Sequence, residues 1–376
     1  MPLTVLQVLP ELESGGVERG TLEVAAELVR RGHRSLVLSG GGRMVAQLEQ
    51  QGSTHITAPV GSKNPLTLLQ VARLRRIIRE ERIDILHARS RVPAWVAWMA
   101  WKSLPERERP RFITTVHGAY SVSRYSAIMT KGEAVIAVSR TIRDYITSRY
   151  PQTPAERIHL IPRGVDPEEF PYGYQPSNDW RESFLSQFPQ CRDRRLITLP
   201  GRITRLKGHE ALLRLIPSLK AQGLPVHALI VGGEDPRRKH YADELRQMIQ
   251  AMQLSADVTL TGHRSDMKEI DALSDVVLSL SSKPESFGRT VLEALQLGTP
   301  VAGFDHGGVG EILSDVFPEG RVPFGDETAL QKVVSSLLMN QTRVPPTSHY
   351  RLADMLNATV SLYEALTAER AARRVA

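Results

Sequence analysis

Cysteine occurs once in the 376 residues, as Cys191. A lone thiol cannot close an intrachain disulfide or build a thiolate metal cluster. Disulfide-stapled secreted scaffolds and the commonest zinc frameworks are therefore excluded, and a cytoplasmic location is the expectation. No run approaches the roughly 18 unbroken apolar residues of a membrane-spanning helix. The N-terminus, Met1-Pro2-Leu3-Thr4-Val5-Leu6-Gln7-Val8-Leu9-Pro10, lacks the basic lead of a signal peptide, and its apolar run is strand-sized. Low-complexity tracts and fixed-period repeats are missing, which removes disordered and solenoid classes. Missing as well is any Asp-x-Asp triplet.

What is present has ordinary proportions. Hydrophobic residues make up 41% and charged residues 24% of the chain, as in a soluble globular protein. With domains usually about 100–200 residues long, two are expected. A formal net charge of +7 attracts anions, whether nucleic acid, acidic lipid or phosphorylated substrate, and selects none of them.

Short β-rich runs alternate with helix-period segments, the pattern of parallel α/β folds. Strands are predicted over residues 4–9, 35–38, 83–87, 112–116 and 134–138. A helix over 17–31 gathers Leu22, Ala25, Ala26, Leu28 and Val29 on one face and stops before Gly32. A turn-rich stretch over 161–177 interrupts the pattern, which then starts again with strands at 196–199, 227–231, 258–260, 276–280 and 300–303. Helices over 210–221, 241–252 and 290–297 lie between them. The domains are therefore expected at 1–170 and 171–345, with a terminal helix and basic tail over 346–376, the amphipathic part at 350–370. Open parallel sheets bind ligands outside the carboxyl ends of their strands, so two in tandem suggest a crevice between facing domains.

Three segments follow predicted strands and carry chemistry. The first, Gly15-Gly16 before a helix, lets the backbone approach an anion at uncapped N–H groups; a tight strand-to-helix turn explains the same residues. Next is Gly201-Arg202-Ile203-Thr204-Arg205-Leu206-Lys207-Gly208. Arg202 offers a flat fork and Lys207 a point charge, a pair suited to a diphosphate, with solvated surface charge as the alternative. Arg205 need not share their direction. The third is Glu285-Ser286-Phe287-Gly288-Arg289-Thr290-Val291-Leu292-Glu293. Its two carboxylates can accept from vicinal hydroxyls of a ribose and a sugar, while Gly288 and nearby N–H groups meet phosphate between them.

Glu285 to Glu293 matches the E-x7-E motif, and Arg202 with Lys207 the R-x4-K element, of glycosyltransferase family 4. Gly15-Gly16, Thr115-Val116-His117-Gly118, Ala137-Val138-Ser139 and Ile161-Pro162-Arg163-Gly164-Val165-Asp166 also resemble that family. The resemblance implies an α/β GT-B fold, two Rossmann-like domains facing across a cleft, with the terminal helix crossing back to the first. It implies a retaining transferase using a nucleotide-sugar, UDP-linked by preference, as substrate and needing no separate cofactor. Arg202 and Lys207 would hold the diphosphate, Glu293 the ribose and Glu285 the sugar hydroxyls, with backbone around Phe287, Gly288, Arg289 and Thr290 assisting. Gly262-His263 resembles the nucleobase turn, and His117 would lie near the anomeric carbon. Without Asp-x-Asp, the expected site is metal-independent.

Acceptor signals are thinner. Trp95, Trp98 and Trp101 recur at helical spacing, which fits core packing and also a lipid-facing stripe. Basic and aromatic residues, including Arg124 and Tyr125, gather at 120–131. His87-Ala88-Arg89-Ser90-Arg91 and the segment around His117 resemble bacterial members that build lipopolysaccharide core. The resemblance thus implies an anionic glycolipid acceptor and transient contact with the inner face of the cytoplasmic membrane. A nucleotide-sugar 2-epimerase is the alternative enzyme. A nucleic-acid-binding protein is the alternative class; dispersed basic residues without a nucleic-acid motif argue against nucleic acid as a partner.

Overall fold

The computed structural model describes residues 2–13, 15–62, 67, 69–234 and 239–375. It contains two compact units, one made of Met1–Arg163 with Leu352–Ala376, the other of Gly164–Arg351. The division falls at 163/164, where the turn-rich stretch suggested 170/171, and residues 346–351 stay with the second unit.

The first unit has strands β1 (Thr4–Val8), β2 (Arg34–Ser39), β3 (Thr54–Thr57), β4 (Ile85–Ala88), β5 (Arg111–Val116), β6 (Ala134–Ala137) and β7 (Ile158–Leu160). They form one parallel sheet in the order β3-β2-β1-β4-β5-β6-β7. Its crossovers carry helices α1 (Gly16–Arg30), α2 (Val45–Gln50), α3 (Leu69–Glu80), α4 (Arg91–Lys102) and α5 (Arg140–Arg149). The apolar stripe of α1 buries Leu22, Ala25 and Leu28. The helix ends where Gly32, at φ 77°, lets the His33 amide reach back to the Leu28 carbonyl, 2.8 Å, a Schellman closure.

The second unit has α6 (Asn178–Gln187), β8 (Arg195–Pro200), α7 (His209–Lys220), β9 (Val226–Val231), α8 (Lys239–Ala251) and β10 (Val258–Gly262). These are followed by α9 (Met267–Leu273), β11 (Val276–Ser279), α10 (Arg289–Leu297), β12 (Val301–Phe304), α11 (Gly307–Val316), β13 (Arg321–Val322) and α12 (Glu327–Met339). Its parallel sheet runs β10-β9-β8-β11-β12-β13. The strands β3, β7 and β13 went unpredicted. Each is short and β3, β7 and β13 all lie at sheet edges, where one flank is open and the continuous apolar run of a central parallel strand is not needed.

The last helix, α13 (Leu352–Val375), crosses back as expected and packs on the first unit. Val360 and Tyr363 are fully buried with Val5, Val24 and Leu28, each apolar side chain so buried contributing about 1.5–3 kcal/mol. Two hydrogen bonds fix its register: Tyr363 Oη with His87 Nδ1 at 2.7 Å and Arg111 Nε to the Leu366 carbonyl at 2.7 Å. In each sheet the strand order reverses once, between β1 and β4 and between β8 and β11. Ligand crevices of such sheets open at the carboxyl ends of those strands.

Candidate functional site

In the second unit, the loops after β8 and β11 meet at the reversal point. Gly201, at φ 136°, begins the first loop, and a Cβ there would lie 2.9 Å from Lys207 Cε, so the lysine stem folds back over the turn. Lys207 Nζ donates to Glu285 Oε1 at 2.7 Å, and Ser281 Oγ donates to the same oxygen at 2.6 Å. Burial raises the affinity of Glu285 for a proton, but the Lys207 charge and the two hydrogen bonds outweigh it and hold the carboxyl below its ordinary range. R-x4-K and E-x7-E are thereby joined through one half-buried ion pair. Arg202 is exposed and makes no side-chain bond among the described residues. Arg205 faces elsewhere: it pairs with Glu244 and lies 4.9 Å from the Tyr241 ring centre.

Gly288, at φ 97°, is the N-cap of α10, and no side chain caps that terminus. The Val291 N–H turns inward to the Gly288 carbonyl at 3.1 Å, and a helix N-terminus without a side-chain cap favours an anion. Arg289 Nε donates to Glu293 Oε1 at 2.9 Å, one helical turn on, and Glu293 is buried. The two glutamates of the motif therefore have different partners. Phe287 is buried and packs edge-on to Tyr350, ring centres 5.5 Å apart, which leaves its backbone as the part a ligand can use. Thr290 follows in the same first turn. His263 is exposed in the turn after β10, beside Gly233 of the loop after β9, where a Cβ would meet the His263 Cβ at 3.6 Å.

A glycine pair that the sequence reading did not single out completes this site. Gly307 and Gly308 open α11, and the Gly308 amide donates to the Glu285 carbonyl at 2.8 Å. A Cβ on Gly308 would lie 2.3 Å from the Phe287 carbonyl oxygen, and one on Gly307 2.6 Å from that of Glu285. No side chain fits between these backbones. The signal was the one used for Gly15-Gly16: two glycines between a buried strand and a helix.

In the first unit, Gly15, at φ 142°, caps α1. Arg163 converges on this turn. Its Nη2 lies 3.1 Å from His117 Nδ1 and donates to the Gly16 carbonyl at 3.4 Å. Gly20 makes room, since a Cβ there would lie 1.9 Å from Arg163 Nη1. Guanidinium nitrogen can only donate, so His117 Nδ1 accepts and its proton resides on Nε2. That Nε2 is buried and without a partner among the described residues. Burial, then the Arg163 and Arg89 charges, push the His117 pKa well below the ordinary histidine value. Arg89, also buried, donates to Gln7 Oε1, and its Nε has no partner among the described residues. His87 links Thr115 Oγ1, 2.6 Å, to Tyr363 of α13. Arg163 and Arg89 stood inside quoted motifs, but only their burial marks them as site residues.

The tryptophans of α4 are half-buried against the first core. Trp95 and Trp101 donate their indole N–H groups to the carbonyls of Tyr125 and Pro110, which ties both rings to the first unit. Lys131 and Lys102 lie 5.0 and 6.0 Å from the Trp98 ring centre, and Arg91 lies over Tyr120 and Tyr125. Arg124 is exposed. No described helix is long and apolar enough to cross a membrane, and no three His, Cys, Asp or Glu among the described residues could hold a metal ion.

Two family patterns match in sequence order: Glycosyltransferase Family 4 over residues 14–169 and Glycosyl transferases group 1 over residues 182–351. The chain is 24% identical over 387 residues to the 2-deoxystreptamine N-acetyl-D-glucosaminyltransferase of Streptomyces fradiae, covering 95% of this chain and 89% of that one. A glycosyltransferase structure from Rickettsia africae superposes with a TM-score of 0.82 at 28% identity, covering 97% and 98% of the two chains. Anabaena HepE in complex with UDP-glucose superposes at 0.77 and 20% identity, covering 96% and 100%. The fold is GT-B.

Proposed function

We propose that this chain, a glycosyltransferase of the family 4 type carrying both halves of that enzyme in order, transfers a sugar from a UDP-linked donor to an anionic glycolipid with retention of anomeric configuration. The observation that carries this is the Lys207–Glu285 pair at the reversal point of the second sheet, beside the uncapped start of α10. A diphosphate competes with Glu285 for Lys207, and the carboxylate so released accepts from the donor sugar's hydroxyls. Charge on both partners is ready before the donor arrives, because the ion pair keeps Glu285 ionised.

The bond from the anomeric carbon to the β-phosphate oxygen breaks through an oxocarbenium-like state. An acceptor hydroxyl forms the new bond from the same face, and its proton passes to the departing phosphate. Arg202, Lys207 and the α10 N–H groups stabilise the developing negative charge where other transferases use a divalent ion. A preorganised donor of this kind is worth about 3–4 kcal/mol. Glu293 is assigned to the ribose and the Gly262-His263 turn to the base. His117, neutral with its proton on Nε2, serves as a hydrogen-bond donor to substrate oxygen; it does not act as a base.

For the acceptor we infer lipopolysaccharide core. The support is chemical: Arg91 stacked on Tyr120 and Tyr125, exposed Arg124, and Lys102 and Lys131 around Trp98 offer cations and aromatic faces to a phosphorylated glycolipid. The test is a thermal-shift comparison of UDP, GDP and ADP, followed by transfer to deep-rough lipopolysaccharide with the product anomer read by NMR. The largest shift with UDP and a retained anomer are expected. No shift with any nucleoside diphosphate, or an inverted product, would sink the reading.

A further inference from the structure

A cluster of arginines in the second unit lies at the end of its sheet away from the residues described above. A cavity of about 590 Å³ is bordered by Arg181, Arg192, Arg194 and Arg195, with Asp193 and Asp275 as its carboxylates. It sits where β8 begins, with Pro225 just before β9 and Asp275 just before β11. Lys207, Glu285 and Gly288 follow the carboxyl ends of the same strands. Six residues of β8 at about 3.3 Å each put roughly 20 Å between the two ends, so one small molecule cannot reach both.

Each arginine has donors to spare. Among the described residues, Arg195 bonds through Nη1, to Asp275 at 2.9 Å, and Arg194 through Nη1, to Asp257 and the Val226 carbonyl, both at 3.2 Å. Arg192 bonds, among the described residues, through Nη2 to Glu182 at 3.3 Å. Arg181 has no side-chain partner among the described residues. A guanidinium carries five N–H donors, so most of this fork capacity is unclaimed. Asp275 is also committed to structure, since its second oxygen accepts from the Leu196 amide at 2.7 Å. Asp193 stands between Arg192 and Arg194 at φ 54°, a left-handed conformation uncommon outside glycine. Three of the four guanidiniums are already oriented by a carboxylate, Arg192 by Glu182, Arg194 by Asp257 and Arg195 by Asp275, so a phosphate here meets unclaimed N–H donors on forks held in place. The walls include Leu185, Leu196 and Leu273, apolar surface that suits a carbon framework better than a bare ion.

We propose that this cavity is a second ligand site, for a small organic phosphate carrying at least two negative charges, separate from the donor site. Calorimetric titration of the full chain with fructose 1,6-bisphosphate as the probe, with fructose and inorganic phosphate as parallel arms, tests it. Saturable binding of the bisphosphate, tighter than inorganic phosphate and absent for fructose, is expected. The R181E/R192E double variant alters two exposed side chains and should weaken the probe by about tenfold or more, the loss of at least one charge-assisted hydrogen bond. The R181K/R192K variant, which keeps charge without the fork, should fall between the two. Lys207→Ala should leave probe binding unchanged. The proposal is overturned if the wild-type chain gives no saturable heat, if R181E/R192E binds as well as wild type while retaining its circular dichroism, or if Lys207→Ala abolishes the heat.

Discussion

The two reversal points hold positive charge in opposite ways. In the second unit it is accessible and exchangeable: Arg202 is exposed, and Lys207 is held by a single carboxylate that a ligand can displace. In the first unit it is locked inside. Arg89 and Arg163 are 3% and 8% exposed, and two histidines beside them are kept neutral by burial and by those guanidiniums. Buried charge is tolerated only where hydrogen bonds and neighbours fix it. The first unit therefore offers fixed donors, and the second offers an ion pair of the kind that the proposed diphosphate departure requires.

Acid should break this contrast most strongly. The folded chain keeps His87 and His117 neutral well below the ordinary histidine range, chiefly by burial, and His209 and His227 neutral down to about 4 for the same leading reason. In the unfolded chain they take up protons below pH about 6.5. The unfolded state then binds more protons, so stability falls as pH drops below about 6.5 and keeps falling toward 4. Each histidine can cost at most about 1.4 kcal/mol per pH unit in that window. Glu285, held below its ordinary range, adds a loss at more acid pH. Urea midpoints at pH 7.5, 6 and 5 should decline in step; a flat profile would mean these histidines are solvated.

Lys207→Ala comes next. Loss of leaving-group stabilisation should lower turnover by about 100- to 1000-fold, the effect of removing one preorganised donor. The melting temperature is followed alongside, because removing Lys207 leaves the Glu285 side chain, 23% exposed, without its counter-ion and should lower stability as well. Glu293→Ala should act instead on donor affinity. Near-normal turnover of folded Lys207→Ala would remove the diphosphate from this end of the sheet.

The difference between the units also explains what could be read from sequence. Arg202 with Lys207, and Glu285 with Glu293, stand in short segments whose spacing exposes them, although the pairing of Lys207 with Glu285 spans 78 residues and is not encoded by that spacing. His117, Arg163 and Tyr363 work through partners 46 and 276 residues away: Arg163 on His117, and Tyr363 on His87. No local pattern encodes such pairings. The central strands were legible because burial on both faces demands apolar runs, whereas β3, with the sequence THIT and two exposed ends, lacks that demand. The crossing of α13 followed from the family resemblance. Its docking through a tyrosine on a buried histidine did not.

Tyr363→Phe probes that docking and should have a smaller effect. Removing the hydroxyl leaves His87 Nδ1 without its partner at 2.7 Å and should cost about 1–3 kcal/mol, with no loss of probe binding in the second unit. Calorimetric melting should show the transition of the first unit moving down by several degrees. An unchanged melt would mean that water replaces the hydroxyl in the core.

The smallest effect should come from removing divalent ions. If Arg202, Lys207 and the start of α10 supply the positive potential at the second reversal point, a metal has little left to neutralise. Preorganised donors in a water-poor site need no reorganisation during the reaction, and each can contribute about 3–4 kcal/mol. A loosely held ion outside them is screened and contributes far less. Initial transfer rates in EDTA and in added magnesium, at matched ionic strength, should agree within about twofold, a difference below about 0.5 kcal/mol. Lys207→Ala sharpens the comparison: in that variant magnesium should restore part of the lost rate, because the diphosphate has lost its nearest cation. An enzyme silent in EDTA and revived by magnesium with Lys207 intact would show that the exchangeable charge of the second unit is insufficient by itself, and the leaving-group role assigned to Lys207 would have to pass to a metal ion.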